Sequence, residues 1–291
     1  MDIKAEIVKQ LRDKTGAGMM DCKKALTECS GDLDKATNWL REKGIAKAVA
    51  KSDRETKEGK ICSYLKNHQQ AVLIEMNCET DFVANTDQFE KLCQNLARHI
   101  AEHSPSDVNT LLTQKYFEDQ SKSVQEVIAE AVATIGENIQ VGRFIHEKID
   151  TSGSIFSYIH SNHKIGVLVC LQTDSSELLQ NENFISLGKD IAMHIAATGP
   201  LGISSTDIDP AFVESERIIY RNKAINDGKP ADKIDMIVEG QVKKLYKEVC
   251  LLEQEFVKEA NKSVQELIQA TASKIGLHIQ VVRFSRLLLG Q

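Results

Sequence analysis

Two stretches of this chain carry residues whose types and spacing allow chemistry. His99-Ile100-Ala101-Glu102-His103 spells H-x-x-E-H, the inverted zinc-protease pattern, which sets both imidazoles on one face of a helix with a carboxylate beside them. A catalytic zinc would still need a third protein ligand and an open fourth position. The second stretch is Asn77-Cys78-Glu79-Thr80-Asp81-Phe82-Val83-Ala84-Asn85. Its polar residues favour turns because their side chains bond the local backbone, and Thr80 is placed to N-cap a helix. Phe82 at such a tip has two readings. It is either a staple that packs back on the next helical turn, or a probe that enters a partner's pocket.

Other chemistry is poorly supported. No G-x-x-x-x-G-K-[ST] loop, G-x-S-x-G elbow or Cys/His nucleophile context occurs, so no catalytic residues are assigned and no cofactor is implied. The seven cysteines (Cys22, Cys29, Cys62, Cys78, Cys93, Cys170 and Cys250) are odd in number and scattered, without a C-x-x-C pair. They read as free thiols in a reducing compartment. A net charge of −6 argues against direct nucleic-acid binding, which needs a surplus of Lys and Arg. The N-terminal residues lack the apolar run of a signal peptide, and no stretch reaches the length of a membrane span. The expectation is a cytoplasmic protein that meets another protein.

The elements that must position these residues can be read in order. Residues 1–55 read as a three-helix bundle and linker. Ile3, Ile7, Val8 and Leu11 share one helical face, ended by Gly16-Ala17-Gly18. Met19 and Met20 open a second helix carrying Cys22, Ala25, Leu26 and Cys29. Asp32 caps a third, with Gly44 as its left-handed stop. Met adapts to irregular pockets, so the Met pair is a binding surface or, residue by residue, core filling. Residues 45–58 read as a helix fraying into a polar linker.

The remainder is a duplicated unit. Gly59-Lys60-Ile61-Cys62-Ser63-Tyr64-Leu65 recurs as Gly153-Ser154-Ile155-Phe156-Ser157-Tyr158-Ile159, and Lys122-Ser123-Val124-Gln125-Glu126 as Lys262-Ser263-Val264-Gln265-Glu266. Each copy runs hairpin, helix, helix, strand. The fold class is therefore α+β, with two three-stranded antiparallel sheet/helix units: core unit 1 at 56–146, and core unit 2 at 147–200 and 256–291. The second is interrupted at 201–255 by an antiparallel helical hairpin, a short coiled coil with Ala211, Ser215, Ile218, Ile219 and Ile225 as the inward stripe of its first helix.

The two copies serve as an internal control. Phe82 has no aromatic counterpart, because the second copy reads Gln172-Thr173-Asp174-Ser175-Ser176-Glu177-Leu178 there. A fold-essential staple should have left something apolar in its place, which favours the probe. His160 stands beside the second hairpin turn where the first copy has Lys66. His99 recurs as His194, but Ala197 and Thr198 replace Glu102 and His103, so the metal pattern is set aside as a shared structural histidine.

Thr15-Gly16-Ala17-Gly18-Met19-Met20-Asp21-Cys22-Lys23-Lys24-Ala25-Leu26, the Thr80-Asp81-Phe82-Val83 element after Cys78-Glu79, and His160 near Ile165-Gly166-Val167-Leu168-Val169 resemble the bacterial elongation factor Ts family. Its members are guanine-nucleotide exchange factors for elongation factor Tu. The resemblance covers nearly the whole chain, including the duplication and the inserted hairpin, and implies that the N-terminal bundle is a ubiquitin-associated-type module. It further implies that Asp81 and Phe82 reach the GTPase domain of Tu near its magnesium and phosphate site, that Met19 and Met20 pack on a helix of that domain, and that His160 lies at a contact with another Tu domain. Both GDP-bound and nucleotide-free Tu would be partners, with a homodimer or higher-order complex left open. Some members carry a further helix after the last strand, whereas this chain stops at Gln291. The rival reading is an adaptor whose bundle captures a helix or tail.

Overall fold

The computed structural model describes residues 3–149, 153–175 and 180–291. The fold is of the α+β class, with eleven α-helices and two three-stranded antiparallel sheets among the described residues. None of those helices is long and apolar enough to cross a membrane. Two compact units are formed: Met1–Tyr64, Val72–His146 and Leu287–Gln291 make the first, and Leu65–Ala71 with Glu147–Arg286 the second.

The first unit opens with α1 (Ala5–Thr15), α2 (Met19–Glu28) and α3 (Leu33–Val49). Gly16 takes the left-handed conformation (φ 68°) that closes α1. Asp32 caps α3 by accepting from the amides of Asp34 and Lys35, each at 3.0 Å. Val8, Leu11, Cys22, Ala25, Leu26 and Ala36 make the core of the bundle. There follow β1 (Glu58–Lys66), β2 (Gln70–Cys78), α4 (Asp81–Ala84), α5 (Asp87–His103), α6 (Val108–Thr113), α7 (Val124–Ile135) and β3 (Ile139–Lys148), in sheet order β1-β2-β3. Asn67 and His68 both have positive φ (51° and 54°), as a tight hairpin turn between twisted strands requires. Alternate residues of β2 (Val72, Ile74, Met76) pack with Phe89, Leu96 and Ile100 of α5 and Val124, Ile128 and Val132 of α7 in one apolar core.

Two expectations fail in this unit. Gly44 does not stop α3, which runs on to Val49. It is buried where α3 crosses α7, and a Cβ built there would sit 3.4 Å from the Cβ of Ala133. The position is helical, and a methyl group there would make ordinary van der Waals contact with Ala133. Gly44→Ala is therefore expected to leave stability unchanged or raise it by up to about 1 kcal/mol through helix propensity. A loss of that size in chemical denaturation would mean that the methyl group does not fit against Ala133. The supposed linker is likewise tied down. Asn138 Nδ2 donates to the carbonyls of Ser52 (3.2 Å) and Arg54 (2.8 Å), and Gln140 Nε2 also reaches Ser52 O at 3.2 Å. Lys51 Nζ donates to Gly136 O. The polar segment is thus tied to the loop before β3 and to Gln140 at the start of that strand. The short α6, capped by Asp107 on the amide of Thr110 at 2.8 Å, was not expected.

The second unit contains β4 (Gly153–Ile159), β5 (Ile165–Thr173), α8 (Glu182–Thr198), α9 (Pro210–Asn226), α10 (Ile234–Val249), α11 (Val264–Ile275) and β6 (Ile279–Leu288), in sheet order β4-β5-β6. β4 and β5 pair antiparallel from Gly153↔Gln172 to Ile159↔Gly166. The repeat extends to single hydrogen bonds. Capping boxes open α7 (Ser123 with Glu126) and α11 (Ser263 with Glu266). Gly136 and Gly276 end them at φ 95° and 80°. Val124 N donates to Gln114 O, and Val264 N to Gln254 O, both at 3.0 Å.

The hairpin α9/α10 forms, with Asp209 as cap and Pro210 at its first position, but on a different face. Val213 packs with Phe212 and Tyr220 against Val238, Val242 and Tyr246, whereas Ile218, Ile219 and Ile225 are more than half exposed. The larger rings of Phe212 and Tyr220 bring more apolar area to the seam. Ion pairs from Arg217 to Glu239 and from Arg221 to Asp235 (2.8 Å) flank it.

Candidate functional site

The turn from β2 to α5 is built by local capping. Thr80 is the N-cap of α4, and its Oγ1 accepts from Val83 N at 3.3 Å. Thr86 then caps α5 through the amide of Phe89 at 3.3 Å. From the far side, the carboxylate of Glu137 accepts from Glu79 N (3.1 Å) and Thr80 N (3.0 Å) at one oxygen and from the Thr80 hydroxyl (2.6 Å) at the other. Glu79 crosses in the opposite direction, accepting from Asn138 N at 2.7 Å. That amide, helped by Arg54, holds the Glu79 carboxyl below the usual carboxylate range. Cys78 is buried and donates to Thr80 O at 3.1 Å. Burial pushes its thiol up to about 11, so it is an inert packing group rather than a nucleophile.

This frame sorts the side chains of the turn. Ala84 is buried and Val83 packs on the core of the first unit. Asp81 and Phe82 face solvent, Phe82 with 82% of its surface open. A staple would be covered, so that reading is overturned. A phenyl ring held out on a capped and braced turn is what a probe needs.

Met19 and Met20 occupy the first turn of α2, 46% and 75% exposed, so the core-filling reading fails for both. The next residues tie the turn inward: Asp21 pairs with Lys47 at 2.9 Å, and Cys22 is fully buried. The Met pair and Thr80, Asp81, Phe82 and Val83 all belong to the first unit, whereas His160 belongs to the second. His160 is exposed just beyond β4, its backbone N bonded to Ile165 O at 2.9 Å. Tyr158 Oη lies 3.2 Å from its Nδ1. Of the segment set against Phe82 in the second copy, Ser176-Glu177-Leu178 lies outside the described residues.

The H-x-x-E-H residues are engaged elsewhere. His99 is fully buried, with its Nε2 3.0 Å from Gln114 Oε1. His103 Nδ1 donates back to His99 O at 3.2 Å, and Glu102 accepts from Arg98 at 2.8 Å. The second unit repeats the first of these contacts, His194 Nε2 lying 2.9 Å from Gln254 Oε1. Among the described residues no group of three or more His, Cys, Asp or Glu is placed to hold a metal. Burial pushes both imidazoles below their ordinary 6.5. The unfolded chain then takes up these protons first, so their contribution is complete above about pH 6.5 and is lost as pH falls below it. Melting temperature is expected to drop between pH 7 and pH 5, with proton uptake on unfolding; a flat profile would contradict this.

Comparison with known proteins places the chain in a family. A family model described as "Elongation factor TS" matches residues 79–291. The chain belongs to the elongation factor Ts family. It is 43% identical over 294 residues to elongation factor Ts of Lawsonia intracellularis, covering all of both chains. It is 42% identical to that of Trichlorobacter lovleyi, with 100% of this chain and 94% of the relative covered, and 43% identical to that of Clostridium botulinum, with 98% and 91% covered. These full-length relatives extend the likeness across the N-terminal helices that precede the family match.

Sequence reasoning missed Glu137. A signal for it was present, because the duplicate reads Gly276-Leu277-His278 where the first copy has Gly136-Glu137-Asn138. The copies differ there just as they differ at Phe82.

Proposed function

We propose that this chain is a guanine-nucleotide exchange factor that binds elongation factor Tu with GDP and promotes GDP release by disturbing its magnesium and phosphate site, so that GTP can load. No bond is made or broken by the factor itself, and it needs no cofactor. The observation that carries the reading is the exposed Phe82 on its capped turn, beside an exposed Asp81, in a member of the elongation factor Ts family.

The mechanism is linkage. A GTPase holds its nucleotide through loop amides, a Lys and a bridging Mg²⁺. A factor that binds best when that site is distorted weakens nucleotide binding by the same factor by which nucleotide weakens its own. Burying one Phe is worth about 1.5–3 kcal/mol, while inverting a 1:99 equilibrium takes about 5.5 kcal/mol of differential affinity. Phe82 must therefore share the task with Asp81 and with further contacts. In this reading Met19 and Met20 pack on a helix of the same GTPase domain, and His160 meets another Tu domain. The N-terminal helices act as a ubiquitin-associated-type module over 1–55. The core units span 56–146, and 147–200 with 256–291, with the hairpin at 201–255, and the protein works in the cytoplasm.

The test is release of fluorescent GDP from purified Tu, with wild-type protein and with Met19→Ala and Met20→Ala. Acceleration by the wild type and a several-fold loss in the Met variants are expected. No acceleration by the wild type would sink the exchange reading. Tight binding without acceleration would favour the adaptor.

A further inference from the structure

We propose that Glu137 is the positioning residue of this site, the carboxylate that holds the Thr80-Asp81-Phe82 turn in its projecting form. The inference rests on the reading of Phe82 as the probe and goes beyond it to the group that aims it.

The geometry comes first. One carboxylate accepts three hydrogen bonds from two consecutive residues, Glu79 N, Thr80 N and Thr80 Oγ1. The last of these fixes the Thr80 hydroxyl with its proton toward Glu137 and its lone pair toward Val83 N. Each bond thus sets the next, from Glu137 through Thr80 to the first turn of α4. That helix has four residues, far too few to be stable alone, so its orientation must come from outside. Only a carboxylate accepts all three bonds with the Thr80 hydroxyl oriented as a donor. Glutamine would offer one acceptor oxygen and turn an amide N–H toward one of these donors.

The duplicated copy supplies the second argument. In the first unit two braces cross between the turn and the loop before β3. One of them, Glu79 accepting from Asn138 N, has a counterpart in the second unit, where Asp174 Oδ2 accepts from His278 N at 3.2 Å. The other does not. Leu277 stands where Glu137 would fall, and it packs on the apolar core of its own unit. The shared brace belongs to the fold. The brace that, among the described residues, is found only in the copy that carries Phe82 belongs to the probe.

Two measurements test this on the intact chain. In the free protein, Glu137→Gln is expected to speed hydrogen exchange at the amides of Glu79, Thr80 and Val83 about tenfold or more, while core amides of α5 keep their protection. Unchanged protection at the turn would overturn the proposal. In GDP release from Tu, Glu137→Gln is expected to lower the accelerated rate about tenfold, but by less than about twofold once Phe82→Ala is present, because the two residues act as one unit. Equal losses in both backgrounds, or no loss, would also overturn it. If Phe82→Ala alone leaves exchange untouched, the probe reading fails, and hydrogen exchange still decides whether Glu137 holds the turn.

Discussion

Phe82→Ala is expected to slow factor-driven GDP release about 10- to 150-fold while leaving the melting transition of the free protein where it is. The range follows from the about 1.5–3 kcal/mol that burial of a phenyl side chain is worth, converted at 1.4 kcal/mol per tenfold. The unchanged stability follows from its 82% exposure, since a ring that touches little in the folded chain gives up little when removed. Phe82→Leu should keep most of the activity, because an apolar side chain of similar reach remains. Stopped-flow release of labelled GDP together with thermal melting reads both quantities. A melting loss of several degrees with exchange intact would return Phe82 to a structural role.

Seven positions along the chain, Phe89→Ala should do the reverse. Phe89 is fully buried in the first turn of α5, in one core with Leu92, Cys93 and Leu96. Truncating such a ring removes its transfer energy and leaves a cavity, a cost of about 3–5 kcal/mol. That is a large share of the 5–15 kcal/mol that holds a typical domain together. Urea unfolding is expected to show a midpoint shift of this size. Any loss of exchange should track the unfolded fraction, and vanish when activity is normalised to folded protein. A loss below about 1 kcal/mol would mean that the ring is not packed as described. The two phenylalanines are the same residue type on either side of one cap, Thr86, and only their burial separates them.

How much of this was legible in the sequence depends on the distance between cause and effect. The duplication, the two hairpins and the helices closed by Gly136 and Gly276 were legible because their signals are local turn chemistry and periodicity. Asp32, Thr80 and Asp209 were recognisable as caps for the same reason. Gly44 was misread because a glycine near a helix end looks like a terminator, and the packing that carries α3 past it, against Ala133 on α7, comes from a different element. The α9 stripe was misread because Ile218, Ile219 and Ile225 are strongly apolar in sequence, whereas the ring area of Phe212 and Tyr220 and the flanking ion pairs set the packing. The linker was misread because its hydrogen-bond partner, Asn138, comes much later in the chain.

The site divides along the same line. Phe82 stood out as an aromatic in a polar turn without a counterpart, whereas the place of Met19 and Met20 beside two glycines left binding surface and core filling both open, and only their exposure separates the two. Glu137 escaped notice because a glutamate after a helix-ending glycine has no local signature. Its meaning comes from the three groups it holds across the turn. The H-x-x-E-H pattern errs in the opposite direction, since a motif of five residues says nothing of Gln114, which engages His99 from a separate loop.

The central claim is differential binding, and calorimetry of the wild-type chain with nucleotide-free Tu and with Tu carrying Mg²⁺ and GDP tests it most directly. The nucleotide-free form is expected to bind far more tightly, on the order of 10⁴-fold if a 1:99 equilibrium is to be inverted. GDP affinity should fall by the same factor when the chain is bound. Equal affinity for the two forms would contradict the claim, because a factor that does not distinguish them cannot move the nucleotide.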